Sequence, residues 1–400
     1  MHILMIAPEP FFEPRGTPFS EYHRIRALTT LGHTVDLVTY PFGRDVDLPG
    51  LRIFRSLRPP GIARVGIGPS WTKVPLNLLL AVTAVRRALS GRYDAVHSHE
   101  EGGGIGVVLA RLLGVPHLYD MHSSLPQQVS NFGYRGAPGL ATLLRWLERR
   151  MIHGSKVVIV ICPDLADTAR AVRADVPAVV IENAPGSGDA PTAGSGRAIR
   201  TALGLADETS VALYTGTFEH YQGLDLLYAA MAIVHRRRPE ARLVVVGGHP
   251  PQVEKARRHV EALGIAEAVI FTGQRPAEEI PAYLDAATLL VSPRSTGTNT
   301  PLKIYQYLRS GRPIVATDLR THTQVLSHET AVLAAATPEA MAEAMIGVFD
   351  DPERAHLVGE RAARLAATEY SEEAYMAKTR RACDLLFAGV ATSPVQDPVR

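Results

Sequence analysis

Short apolar runs and helical stretches alternate along nearly the whole chain, and they do so in two separate series. The first series opens with HILMIA, passes a Pro/Gly loop, and continues with a helical stretch from about Pro18 to Leu31 that Gly32 stops. TVDLVTY follows as a strand, then YDAVHSH, a glycine cluster, the helix GVVLARLLG, and the strands PHLYDMH, KVVIVIC and AVVIENA. The second series runs SVALYTG, LDLLYAAMAIVHR, ARLVVVGG, VEKARRHVEALG, AVIFTG, IPAYLDAA, TLLVSP, TPLKIYQYLRSG, RPIVATD and TAVLAAA, with helices to about residue 390. Apolar strands separated by helices predict parallel sheets covered on both faces. Residues 185–197, PGSGDAPTAGSGR, read as a linker. The expected architecture is α/β: two doubly wound domains facing a cleft, with ligands at the carboxyl ends of the strands. The boundaries are 1–184, a linker at 185–203, 204–370, a helix at 371–390 packing back on the first domain, and a disordered tail at 391–400.

Composition removes several alternatives. A chain of 400 residues exceeds one ordinary core. With 46% hydrophobic and 20% charged residues it is not disordered over most of its length. Only Cys162 and Cys383 are present, which excludes a disulfide scaffold and a cysteine-built zinc site and makes a reducing compartment the default. No signal peptide is expected, because HILMIA lacks a basic flank and ends in Pro8, Pro10 and Pro14. No apolar run reaches the length of a membrane span. The net charge of +2 gives no reason to expect a nucleic-acid partner. It conceals an asymmetry: residues 1–200 hold 22 Lys/Arg against 16 Asp/Glu, and residues 201–400 hold 20 against 24. Most of the basic excess lies in 51–160, with 14 basic residues against 5 acidic. An anionic partner for the first half and simple scatter both fit these counts.

Three loops of the second half follow strands and carry glycine or polar groups: TGTFEHYQG with Gly223, Gly247-Gly248, and FTGQ. The most informative stretch is SPRSTGTNTPLKIYQYLRSGRPIVATD, residues 292–318. Thr300 fits an N-cap, Pro301 the first helical position, and Ser310-Gly311 the end. Lys303 then lies in the first turn, where a cation opposes the helix dipole. A bound anion would compensate it, with Asn299 and Thr300 adding hydrogen-bonding groups; an exposed lysine would cost a few tenths of a kcal/mol. In the first half, Gly16 follows the first strand in Arg15-Gly16-Thr17-Pro18, without a dinucleotide fingerprint.

In this order and spacing, the Gly16 loop and LGHTV, the HSH strand end, PHLYDMH, IENAP, VVVGG, FTG and YLRSGRPIVAT resemble family-4 glycosyltransferases of the GT-B kind, over roughly residues 1–385. The resemblance implies two Rossmann-like domains and a retaining transferase. Such an enzyme moves a sugar from a nucleotide-sugar donor to a glycan or lipid-linked acceptor without a metal or other cofactor. The second domain would hold the nucleotide and the first the acceptor. The family's paired glutamates fall on Thr298 and Gln306, and its diphosphate-gripping Arg and Lys on Thr217 and Gln222, so all four charges are missing. Lys303, helped by Arg294, becomes the cation for the diphosphate. Gln306 is left to hydrogen-bond ribose, and Asn299 to stand in for Thr298. Carried over likewise, Gly16 lies against the donor phosphate, His122 near the transferred sugar, and Gly247, Gly248 and Gln274 against base or ribose. His97, His99 and Glu100 would line the acceptor side. The missing charges also leave room for a non-catalytic nucleotide-sugar-binding paralogue, or for an epimerase on the same fold.

Residues 137–153 carry Leu140, Leu143, Leu144, Leu147 and Met151 on one helical stripe, with Trp146, Arg145, Arg149, Arg150 and His153 off it. Trp71-Thr72-Lys73 opens another apolar stretch that ends at Arg86-Arg87. Peripheral contact with an anionic membrane, from the cytoplasmic side, and ordinary buried stripes with solvated basic faces both fit this pattern.

Overall fold

The computed structural model describes residues 1–12, 16–63, 65, 70–127, 138–183 and 192–389. Two compact units result: Met1–Asn183 together with Tyr375–Arg400, and Ala184–Ala374. The first is built on strands β1 (His2–Ala7), β2 (Thr34–Thr39), β3 (Leu51–Arg55), β4 (Ala95–His99), β5 (His117–Met121), β6 (Val157–Val160) and β7 (Ala178–Val180). They pair in the order β3-β2-β1-β4-β5-β6-β7, all parallel. Its helices are α1 (Gly16–Thr30), α2 (Lys73–Ser90), α3 (Gly103–Leu113), α4 (Pro138–His153) and α5 (Pro163–Val172).

The strands are apolar on both sides because both faces are covered. Leu4, Ile6, Val38 and Val96 pack with Leu76, Leu80 and Ala84 of α2 and Leu109 of α3. Met121, Val158 and Val160 pack with Met151 of α4 and Leu165 of α5 on the same face. On the opposite face, Ile3, Met5, Val35 and Leu37 meet Ile25 and Leu28 of α1 together with Cys383.

The second unit has helices α6 (Gly196–Ala202), α7 (Leu224–Arg237), α8 (Pro250–Ala262), α9 (Ile280–Ala286), α10 (Lys303–Ser310), α11 (Arg320–Thr323), α12 (Pro338–Asp350) and α13 (Pro352–Glu369). They cover a parallel sheet of β8 (Val211–Thr215), β9 (Arg242–Val246), β10 (Val269–Gly273), β11 (Leu289–Ser292), β12 (Ile314–Thr317) and β13 (Val332–Ala334), in the order β10-β9-β8-β11-β12-β13. The final helix, α14 (Glu372–Phe387), returns the chain to the first unit, where Tyr375, Ala382 and Leu386 pack on Leu118, Val157 and Ile159. In both sheets the strand order reverses beside the first strand of the unit, between β1 and β4 and between β8 and β11. Loops diverge at such points and leave room for a ligand.

The structure differs from the sequence reading in three places. Residues 196–202, assigned above to the linker, form α6. The Gly196 N–H donates to Asp285 Oδ2 at 2.8 Å and Arg200 Nη1 to the Ala286 carbonyl at 2.6 Å, so a Gly/Ser/Ala-rich segment is pinned by its flanking arginine. Residues 185–191 of the linker and the tail 391–400 lie outside the described residues. The first helix begins at Gly16, two residues before Pro18. The helix expected from Pro301 begins at Lys303, because the Ile304 N–H reaches back to the Pro301 carbonyl (3.0 Å) in a tighter opening turn. Thr300 therefore does not cap it, and its buried hydroxyl has no hydrogen-bond partner.

Candidate functional site

The clearest site in the second unit lies at the carboxyl ends of β8, β9 and β11, at the reversal of strand order. The first two of these ends are shaped by backbone. The φ angles of Gly216, Gly247 and Gly248 are +145°, +126° and +78°, a region side chains disfavour. A Cβ on Gly247 would overlap the Gly216 carbonyl oxygen, so the two strand ends approach as closely as backbone allows.

Lys303 enters from α10. Its side chain is 9% exposed, and its Nζ has no hydrogen-bond partner and lies 3.7 Å from the centre of the Tyr214 ring. Arg294 stands beside it after β11. Its Nη1 donates to the Asn299 carbonyl (2.7 Å), its guanidinium lies 5.0 Å from the Tyr221 ring centre, and its Nε is buried without a partner. Burial, with Arg294 adding repulsion, holds the Lys303 ammonium well below the usual lysine range. Burial lowers Arg294 as well. Behind them His322 donates from Nδ1 to the Thr317 carbonyl (2.9 Å) and accepts the Ser292 hydroxyl at Nε2 (2.8 Å). Burial brings its pKa to about 4, so it contributes no charge at neutral pH. The result is two cations in a dry setting, neither in an ion pair with a described carboxylate. Buried charge is normally compensated, and the compensation missing here is an anion.

The other expected donor residues form no single hydrogen-bonded set among the described residues. The Thr217 carbonyl accepts the Tyr214 hydroxyl (2.7 Å). Gln222 donates from Nε2 to Thr217 Oγ1 at 3.5 Å, and its Oε1 is buried without a partner. Asn299 takes part through its carbonyl, which also accepts from Thr321 Oγ1 (2.6 Å). Gln274, just past β10, and Gln306, on α10, are exposed.

In the first unit, the β4 and β5 ends hold a compact polar cluster. Asp120 is fully buried; its Oδ2 accepts Arg24 Nε at 2.9 Å, and its Oδ1 lies 3.2 Å from His122 Nε2. Ser20 donates to Asn183 Oδ1 (2.5 Å), which orients the amide so that Asn183 Nδ2 donates to His122 Nδ1 (3.1 Å). That places the His122 proton on Nε2, facing Asp120. Burial opposes the Asp120 charge, but Arg24 and the neighbouring histidines outweigh it and hold the carboxyl well below its usual range.

His97 and His99 stack at 4.7 Å, and burial lowers both. Together with Asp120 they bring three possible metal-ligand atoms within 4.8 Å of one another. Asp120 already carries the Arg24 guanidinium, however, and a second cation there would be repelled. His97, His99 and Glu100, expected along an acceptor surface, are instead buried, because β4 lies in the interior of its sheet between β1 and β5. Glu100 adopts a φ of +45°, a strained conformation at the strand end, and its two carboxylate oxygens share the Ser123 hydroxyl as donor (2.9 and 3.0 Å). Burial, with Glu101 and Glu9 nearby, raises its carboxyl well above the usual range. Gly16 begins α1, next to residues 13–15, which lie outside the described set.

Sequence reasoning missed Arg24, Asp120, Ser20 and Tyr214. Asn183 was in view within IENAP but without a role, and the only signal for Asp120 was its position two residues before His122.

Comparison with known proteins agrees with this architecture. Residues 209–351 match the profile of Glycosyl transferases group 1, and residues 22–184 that of the Glycosyl transferase 4-like domain. The chain is 28% identical over 323 residues to alpha-D-kanosaminyltransferase of Streptomyces kanamyceticus, covering 76% of this chain and 80% of that one. Sucrose-phosphate synthase from Thermosynechococcus elongatus is similar in fold, with a TM-score of 0.77 at 22% identity over 97% of this chain and 99% of that one. Anabaena HepE, in complex with UDP, gives a TM-score of 0.74 at 15% identity over 97% of this chain and 100% of that one.

Proposed function

From the chain's membership of the group 1 and family-4-like glycosyltransferases, enzymes of the GT-B fold, we propose a retaining, metal-independent transfer from a nucleotide-sugar to a glycan or lipid-linked acceptor. The observation that carries the donor assignment is the buried, unpaired Lys303 ammonium beside Arg294. A nucleoside diphosphate supplies the compensating charge, and its negative charge favours the protonated form of Lys303. Gly216, Gly247 and Gly248 offer backbone rather than side chains to the nucleotide, which suits recognition by shape. The fold likeness to HepE, described with UDP, makes UDP-sugars the first donors to test.

In the reaction the bond from the anomeric carbon to the diphosphate oxygen breaks. The acceptor hydroxyl forms its bond on the face the diphosphate leaves, and its proton passes to the departing diphosphate. Lys303 and Arg294 stabilise the charge that develops on the leaving group, as oxyanion donors do. The first unit takes the acceptor, and its His122 is held by Asp120 and Asn183 in one tautomer.

A thermal-shift series with UDP-, GDP-, ADP- and dTDP-sugars tests the donor assignment, since binding stabilises the fold by mass action. One nucleotide-sugar is expected to raise the melting temperature. Chelation is expected to leave transfer intact, and NMR to show an unchanged anomeric configuration. No shift with any of the four would overturn the donor site. Donor conversion without an acceptor would instead identify an epimerase, and binding without transfer a non-catalytic paralogue.

A further inference from the structure

We propose that the outer face of α2 and α3 is a docking surface for an anionic lipid bilayer. Helix α2 is apolar on two opposite sides. Leu76, Leu80, Ala84 and Ala88 are buried against the sheet. Trp71, just before the helix, and Val74, Leu78, Val82, Val85 and Leu89 recur at three- and four-residue spacing and are all exposed, Trp71 to 86% and Leu89 to 81%. A surface helix of a water-facing protein puts polar residues on its outer side. Helix α3, which packs beside α2, adds Val108 and Leu112, the latter 75% exposed. The ridge runs the length of α2, about 27 Å at 1.5 Å per residue, which exceeds the isolated exposed leucines of an ordinary surface.

Charge selects the occupant. Residues 51–160 hold 14 basic and 5 acidic side chains, and all five acids are turned inward or engaged. Glu100, Asp120 and Glu148 are buried, Glu101 pairs with Lys73 at 2.9 Å, and Asp94 accepts the His2 N–H at 2.7 Å. Arg86 and Arg111 stand exposed beside the ridge on α2 and α3, and Arg145, Arg149 and Arg150 on α4, which packs against α3; none of the five has an ion pair among the described residues. Trp146 of α4 is half exposed, with the Arg150 guanidinium 5.2 Å from its ring centre. An apolar helix face flanked by unpaired arginines and tryptophan is the pattern of an interfacial helix. The apolar stripe enters the acyl boundary while the arginines reach lipid phosphates. No helix among the described residues is long and apolar enough to cross a membrane, so the contact is with the membrane surface.

This surface stands whether or not the transfer reaction does, and its test reads binding alone. The full chain is floated with vesicles of phosphatidylglycerol and phosphatidylcholine, and with vesicles of phosphatidylcholine alone. Binding to the anionic vesicles is expected to be about tenfold or more tighter, and to weaken at high salt. The pair Leu78→Gln/Leu89→Gln and the pair Arg86→Glu/Arg149→Glu are each expected to reduce it about tenfold or more. Their melting temperature should be unchanged, because all four side chains are exposed. Equal affinity for the two vesicles, or undiminished binding by the leucine pair, overturns the proposal. So does a wild-type dimer that the leucine pair dissociates and that ignores vesicles, which would make a second copy the occupant.

Discussion

Lys303→Met gives the sharpest test of the donor site because its two effects have opposite signs. Methionine keeps the length of the stem and removes the charge. In the ligand-free protein Nζ makes no hydrogen bond, and its one favourable partner is the Tyr214 ring. Losing a cation–π contact costs about 0.5–2 kcal/mol, whereas removing a buried, unsatisfied charged group returns about 3 kcal/mol or more. The net expectation is a stabilisation of about 1–2.5 kcal/mol, which raises the melting temperature of the second unit by roughly 2–10 °C. Donor affinity moves the other way. Loss of a charge-assisted bond worth about 1.5–3 kcal/mol weakens nucleoside diphosphate binding by roughly 10- to 150-fold, and turnover falls by about 100-fold or more.

The pH dependence carries the same signature. The folded pKa of Lys303 lies below its unfolded value of 10.5, so the unfolded chain binds the extra proton between the two. Stability of the ligand-free wild type therefore rises across that interval as pH increases, and the penalty is complete below the folded pKa. Lys303→Met should lack this rise. Calorimetry of the ligand-free protein and titration with a nucleoside diphosphate measure both effects. A variant that melts lower and binds the nucleotide unchanged would refute the reasoning.

Two further expectations concern the other buried charges. Arg24→Met strands the Asp120 carboxylate and should destabilise the first unit by about 3–5 kcal/mol in urea unfolding, while Arg24→Met/Asp120→Leu should recover most of that loss. The folded pKa of His322 is about 4 against 6.5 unfolded, so its contribution is lost as pH falls from 6.5 through 4. The loss is on the order of 3 kcal/mol, and His322→Gln should flatten that limb of the stability profile.

The strands were legible because parallel strands covered on both faces appear as bare apolar runs: HILMIA, KVVIVIC and RLVVVGG all lie in β-strands or at their ends. Lys303 was legible because it breaks a helix-terminus preference. What sequence could not supply was pairing at a distance. Arg24 and Asp120 are 96 residues apart, and nothing in either neighbourhood announces the other. Strand β3, LRIFR, went unread because its alternation is short and charged, and its neighbour β2 supplies the order that its own sequence lacks. The apolar stretch Val74–Val85 was visible, but its division into a buried side and an exposed side follows from which residues α2 turns toward the sheet.

The return of the last helix sets the order in which the molecule can be completed during synthesis. The second unit ends at Ala374, so every strand of its sheet has been made before the residues that finish the first unit. Until Tyr375, Ala382, Cys383 and Leu386 emerge, Leu118, Val157, Ile159, Met5 and Leu37, all on one face of the sheet, lack part of their cover. The unit translated first is thus the last to close. A nascent chain stalled or cut before residue 375 would carry a finished second unit joined to a first unit with one open face, the kind of exposed apolar surface on which chaperones and proteases act.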